Sequence, residues 1–269
     1  MTQMFIQVDA FTDAPFSGNP AAVCPLDGPA DEVWMQRVAA EMNLSETAFV
    51  YPEPAGPSFR LRWFTPLTEV DLCGHATLAT AHALWEEGIV DRSAPVFFET
   101  RSGRLRAARE GDWIALDFPS EPIRETISDA AELAAIGEAI GVAVATAGRN
   151  RLHLLVELAD EEAVVRLSPD MRKLGSIPVR GLIVTAKSSD PSSDFVSRFF
   201  APRVGIDEDP VTGSAHCGLG PFWASRLGRT DLVGRQVSRR GGVVRVRVGE
   251  SRVELLGRAV TVMRGDILA

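Results

Sequence analysis

The chain has 269 residues, 45% hydrophobic and 24% charged, the proportions of an ordinary globular protein, which excludes a disordered, collagenous or fibrous chain. With 28 Lys+Arg against 36 Asp+Glu the formal net charge is −8, which repels phosphate backbones and anionic lipid and argues against nucleic acid or a membrane surface as partner. Three scattered cysteines (Cys24, Cys73, Cys217) are too few for a disulfide scaffold or a structural zinc site; with no basic-then-apolar leader and no run of 18 apolar residues, a soluble, cytoplasmic protein is expected.

Taken in chain order, residues 5–11 alternate as an opening strand, 13–20 (DAPFSGNP) are turn chemistry, and 21–24 form a short second strand. Residues 31–42 begin with an acidic pair and carry Val33, Trp34, Val38 and Met42 at helical spacing. Strands are expected at 47–51 and 59–64, a helix over about 74–87, and three strands at 96–100, 103–109 and 113–118. Residues 119–126 (PSEPIRET) are polar and without periodicity, and read as a linker. The second half restarts with a helix near 129–140, strands at 152–157, 181–187 and 193–200, a helix over about 213–226, and closing strands that include 243–248 and 253–256. Arg60, Arg62, Arg245 and Arg247 alternate with apolar residues and read as solvated strand faces.

The two halves echo each other. Arg62, Phe64, Pro66 and Asp71 recur as Arg198, Phe200, Pro202 and Asp207, all 136 positions on (198 − 62). Three added residues beyond Asp207 then align Gly74-His75-Ala76 with Gly213-Ser214-Ala215. A shift of half the chain is no solenoid period; it indicates two similar α/β domains, 1–120 and 121–269. Each unit reads strand, acidic loop, Gly, helix, and two such units facing each other would set two helix N-termini around one cleft. Helix N-termini offer unpaired N–H groups and partial positive charge to a carboxylate. His75 and Ser214 follow the opening glycines; the competing reading is that they cap their helices.

Glu46 enters an apolar strand (NLSETAFV), where neighbours disfavour its charged form and suit it to acid/base work. Asp209 belongs to an acidic run, DEDP, of a kind usually solvated. His75, His82, His153 and His216 show no metal-ligand spacing, and no G-x-G-x-x-G or G-x-x-x-x-G-K-[ST] occurs, so neither metal nor cofactor is expected. Cys73 and Cys217 could be the two thiols of a racemase, but the alignment sets Cys73 against Thr212 and Cys217 against Leu78, inside a helix.

Four segments, Phe11-Thr12 through Ser17-Gly18-Asn19-Pro20, Asn43-Leu44-Ser45-Glu46-Thr47, Asp71-Leu72-Cys73-Gly74-His75-Ala76-Thr77 and Asp209-Pro210-Val211-Thr212-Gly213-Ser214-Ala215-His216-Cys217, together resemble the PhzF-like (phenazine biosynthesis) family. The resemblance implies a diaminopimelate-epimerase-like fold: two pseudo-symmetric domains, each a curved, mostly antiparallel sheet around a central helix, the last strand able to return to the first domain. It implies a cofactor-independent isomerase, a homodimer, acting on a small carboxylate such as an amino- or hydroxy-acid. By motif, Glu46 matches the acid/base that moves a carbon-bound proton. His75, Asp209 and Ser214 match groups that hold substrate, Gly74 and Gly213 offer backbone N–H groups, and Asn19 lies near the pocket. The alternatives are a non-catalytic member that binds a metabolite or a protein, and a thiol-dependent racemase or epimerase.

Overall fold

Residues 46–50 (ETAFV) are buried one after another, the mark of a strand covered on both faces. In the computed structural model, which describes residues 2–54, 56–144 and 146–268, this strand is β3 (Glu46–Pro52), one of a sheet built from β1 (Thr2–Ala10), β2 (Asn19–Pro25), β3, β4 (Ser58–Phe64), β5 (Glu69–Val70), β6 (Val96–Thr100), β7 (Gly103–Glu110) and β8 (Trp113–Pro119). Helix α1 (Glu32–Met42) crosses between β2 and β3, and α2 (Gly74–Glu86) between β4 and β6. Those two crossovers are the parallel pairings; β1–β2, β3–β4, β4–β5, β6–β7 and β7–β8 are antiparallel, as crossover connections require.

Helix α2 is apolar nearly all round, with 10 of its 13 residues buried, so it belongs inside a sheet rather than on it. It packs against β1, β2, β3 and β7. Helix α1 covers the other face: Met35, Val38 and Ala39 pack with Cys24, Phe49 and Phe64, and Phe49 meets Trp34 and Phe64 edge-on at 5.8 and 5.5 Å.

The chain divides into two compact units, residues 1–118 with 254–269, and residues 119–253. The second contains β9 (Glu125–Ile127), α3 (Ala130–Ile140), β10 (Thr146–Arg149), β11 (His153–Glu157), α4 (Glu161–Val165), α5 (Met171–Ser176), β12 (Gly181–Lys187), β13 (Phe195–Ala201), β14 (Ile206–Asp209), α6 (Gly213–Leu227), β15 (Asp231–Gln236) and β16 (Gly242–Val248). Strand β17 (Arg252–Gly257) spans the division point, and β18 (Ala259–Leu268) lies in the first unit. The second unit repeats the first pairing for pairing: β10–β11 antiparallel, β11–β12 parallel, β12–β13 antiparallel, β13–β14 antiparallel, β13–β15 parallel, β15–β16 antiparallel. Even the outer strands correspond, since β18 pairs antiparallel with β1 and β9 with β10. Its core joins Ile136 and Ile140 of α3 to Leu154, Val156, Leu182, Val184 and Phe200.

Three readings of the sequence change here. The stretch 119–126 is docked: Ser120 N–H donates to Ser251 O at 3.0 Å, Glu121 N–H to Cys217 O at 3.0 Å and Arg124 N–H to Arg149 O at 2.8 Å, and its end is β9. Arg62 is no solvated strand residue; its side chain is 17% exposed and donates to Glu69 at 2.8 and 2.6 Å. The three added residues fall earlier than the echo suggested. Arg198 grips Glu208 at 2.7 and 2.9 Å as Arg62 grips Glu69, and Trp63↔Val70 corresponds to Phe199↔Asp209 in strand register. Glu69 therefore matches Glu208, the step lies before it, and Asp71 corresponds to Pro210 rather than Asp207.

Candidate active site

Strand pairing delivers the first group. Glu46 opens β3 opposite Ala21 of β2, two residues beyond Asn19. Asn19 itself follows a tightly specified loop. Phe11 and Phe16 have φ of 62° and 68°, conformations that cost a non-glycine residue energy. The Phe16 N–H donates to buried Asp9 Oδ2 at 2.7 Å, and the Thr12 and Ser17 hydroxyls are 2.6 Å apart. Gly18, at φ 67°, leaves no room for a Cβ, which would stand 2.2 Å from Ala10 O.

On α2 the second helical residue, His75, is 4% exposed. Its Nε2 lies 3.0 Å from Glu46 Oε2, an oxygen with no other hydrogen-bond partner, and its Nδ1 is 3.1 Å from the Asn19 side-chain amide. Cys73 Sγ is 3.6 Å from His75 Nδ1 and 3.9 Å from Nε2. Burial works against charge on the His75 ring, yet its acidic neighbours Cys73 and Glu46 outweigh burial and hold it well above the usual 6.5. The Cys73 thiol is itself pushed up to about 11, by burial first and Glu46 second. The Asn19 amide and the Glu46 carboxylate thus face the two nitrogens of one buried ring.

The second unit gathers the remaining candidates. Asp209, the last residue of β14, is 7% exposed rather than solvated as its acidic run suggested. It accepts from Thr212 Oγ1 at 2.5 Å. Gln236, fully buried on β15, ties the loop: its Oε1 accepts from Thr212 N–H at 2.9 Å and its Nε2 donates to Asp209 O at 2.7 Å. Ser238 Oγ donates to Pro210 O at 2.7 Å. Gly213 begins α6, and Ser214 follows, half-buried, its hydroxyl without a partner among the described residues. No sequence signal marked Gln236, which lies 24 residues beyond Thr212 and finds it only through β13–β15 pairing.

Neither His75 nor Ser214 is a cap. The N-cap residues are Cys73 and Thr212, and neither side chain accepts a helix N–H. Helices α1, α3, α4 and α5 are instead closed by Asp31, Asp129, Asp160 and Asp170, each accepting an N–H of the first turn. Among the described α-helices, the two that open on Gly74 and Gly213 are the two without an aspartate at the N-cap. Cys217 lies in the interior of α6 and is 5% exposed.

The family profile described as Phenazine biosynthesis-like protein matches residues 8–265. The chain belongs to that family. It is 49% identical over 268 residues to an uncharacterized isomerase of Halalkalibacterium halodurans, covering 100% of this chain and 99% of that protein. A PhzF-family protein from Enterococcus faecalis has the same structure at a TM-score of 0.94 with 42% identity and full coverage of both chains. A hydroxyproline epimerase from Agrobacterium vitis, at 14% identity, TM-score 0.65 and coverage of 99% and 92%, shares the fold. Fold and enzyme class follow: a PhzF-family α/β protein of epimerase-like architecture, and an isomerase.

Proposed function

We propose that this isomerase moves a carbon-bound proton on a small carboxylate substrate, an amino- or hydroxy-acid, without a cofactor. Glu46 takes the proton from one carbon and returns it to another on the same face. The observation that supports this reading is the setting of Glu46: a buried carboxylate whose Oε2 lies 3.0 Å from the His75 ring and has no other close hydrogen-bonding partner among the described residues. A general base needs a free lone pair within reach of the reacting atom. His75, oriented by Asn19 and drawn toward its charged form by its acidic neighbours, offsets the negative charge that builds on the substrate as the proton leaves. By the family resemblance, His75, Asp209 and Ser214 hold substrate amino, carboxylate or hydroxyl groups, and Gly74 and Gly213 offer backbone N–H groups. Asp209 is aimed by Thr212 and Gln236, and the Ser214 hydroxyl is uncommitted, as a substrate-holding group must be. By the family resemblance the enzyme works as a homodimer.

A two-thiol racemase finds little support. Cys73 corresponds to Thr212, whose hydroxyl is committed to Asp209, and Cys217 corresponds to Leu78. A non-catalytic binder would not require a buried carboxylate against a buried histidine.

The test is turnover in D2O against a panel of amino- and hydroxy-acids with an acidified C–H. Deuterium should enter at the new carbon position, and Glu46→Gln should lose exchange and turnover together while ligand binding changes little. Full exchange in Glu46→Gln, with none in Cys73→Ala, would replace carboxylate by thiol chemistry.

A further inference from the structure

The same pocket brings together three donor atoms of three kinds. Glu46, Cys73 and His75 each offer one ligand atom, all within 4.8 Å of one another. The spacing is close to a coordination polyhedron. Zinc bonds of about 2.3 Å to sulfur and about 2.0–2.2 Å to nitrogen and oxygen put tetrahedral donors roughly 3.3–3.7 Å apart. Here Nε2 of His75 is 3.0 Å from Glu46 Oε2 and 3.9 Å from Cys73 Sγ, both within a few tenths of an ångström of those separations. The sequence spacing hid this, because Glu46 comes from β3 and the other two from the start of α2.

We propose that Cys73 Sγ, His75 Nε2 and Glu46 Oε2 form a binding site for a thiophilic divalent cation, Zn2+ above all, with the fourth position open. Thiolate and imidazole select zinc over magnesium or calcium. Asn19 supports the site from outside: its side-chain amide stands 3.1 Å from Nδ1 and fixes the ring as metal-ligating histidines are usually fixed. Among the described residues Glu46 Oε2 faces no polar side chain but the His75 ring and the Cys73 thiol, the other two members of the site. On binding, the Zn–S bond forms as the thiol proton leaves to solvent, Nε2 gives up its proton to solvent and coordinates through that lone pair, and Nδ1 keeps its own. No electron is transferred. Occupancy would deny Glu46 its role in proton transfer, a consequence that rests on the isomerase reading; the binding does not.

The experiment uses the full chain, stripped with a chelator and titrated with Zn2+ alone and with Co2+ alone, no substrate present. One Zn2+ per chain should bind, and Co2+ should give a thiolate-to-cobalt charge-transfer band in the near ultraviolet. Cys73→Ala should abolish the band, and Cys24→Ala and Cys217→Ala should keep it. His75→Asn and Glu46→Gln should each weaken Zn2+ by at least about tenfold, since losing even an outer-shell partner costs roughly 10–100-fold. Far-UV circular dichroism and the milder Cys73→Ser variant guard against misfolding. Absence of the band, or a band and a Zn2+ affinity that Cys73→Ala leaves unchanged, overturns the proposal.

Discussion

The two units run the same strand programme with different chemistry at the same positions. In each, an arginine on the fourth main strand grips a glutamate bidentately and lies over a phenylalanine two residues on: Arg62 at 5.1 Å from the Phe64 ring centre, Arg198 at 4.9 Å from that of Phe200. In each, the fourth helical residue bonds back to the N-cap carbonyl, Thr77 Oγ1 to Cys73 O at 2.5 Å and His216 Nδ1 to Thr212 O at 2.8 Å. In each, a serine pins the loop before the helix, Ser102 to Asp71 O at 2.8 Å and Ser238 to Pro210 O at 2.7 Å. The scaffold is duplicated down to single hydrogen bonds.

The side chains at the proposed site are not. Strand register sets Ala21 opposite Glu46 and His153 opposite Gly181, so the counterpart of the acid is a glycine. A Cβ on Gly181 would meet the Phe199 ring at 2.3 Å, and that ring packs edge-on against His153 at 5.0 Å. Where the first unit has Cys73 and His75, the second has Thr212 and Ser214. Glu46, Cys73 and His75 thus have Gly181, Thr212 and Ser214 as counterparts, and the second unit adds the buried Asp209 at a position where the first has Val70. A one-base reaction accommodates this asymmetry, whereas a two-thiol racemase would need a second thiol at Thr212.

That contrast can be broken most severely at Glu46. Glu46→Gln is expected to lower turnover by about 10²–10⁴-fold, with ligand affinity little changed. Ser214→Ala, at the counterpart of His75, should weaken binding more than the chemical step. Equal losses in turnover for both variants at saturating substrate would erase the distinction between the units.

Gln236→Leu comes next, because it strands the buried Thr212 N–H and frees the 209–212 loop. Stability should fall by about 1–3 kcal/mol, read from urea midpoints, and KM should rise more than kcat falls. Gln236→Glu keeps the acceptor for Thr212 N–H and should restore part of the stability; a variant with wild-type KM would show that the clamp holds nothing the substrate uses. Gly181→Ala should cost about 1–3 kcal/mol as Phe199 is forced aside, and a neutral result would mean that Phe199 is not what excludes a side chain there.

The mildest effect is in acid. Burial, aided by Arg180 and Arg151, pushes His153 down to about 3, and burial pushes His216 down to about 4. Both are neutral in the folded protein and take up protons first when unfolded. Their contribution is complete above the ordinary histidine value of 6.5 and is lost as pH falls from there toward 4 and 3. By pH 5.5 the loss is roughly 1 kcal/mol for each. Chemical denaturation of His153→Gln between pH 7 and pH 5 should show a shallower fall than the parent; equal slopes would refute this origin.

The amino-acid pattern on its own was enough for elements that leave a local signature along the chain: the apolar runs of β3 and β12, the Asp-capped α1 and α3, the glycine starts of α2 and α6, and the repeat itself. Those features are local, since the spacing of apolar residues reports which face is covered and a capping aspartate acts within three residues. The short β5, β9 and β14 left no such trace, because two to four residues show no period and exist through their partners. Only the tertiary structure could move the insertion ahead of Glu69, bury Arg62 and Asp209, and bring Gln236 to Thr212. Glu46 and His75 meet for the same reason. They are 29 residues apart (75 − 46), on a strand and a helix, and their 3.0 Å approach depends on β2–β3 register and on how α2 packs against both strands, which no local spacing records.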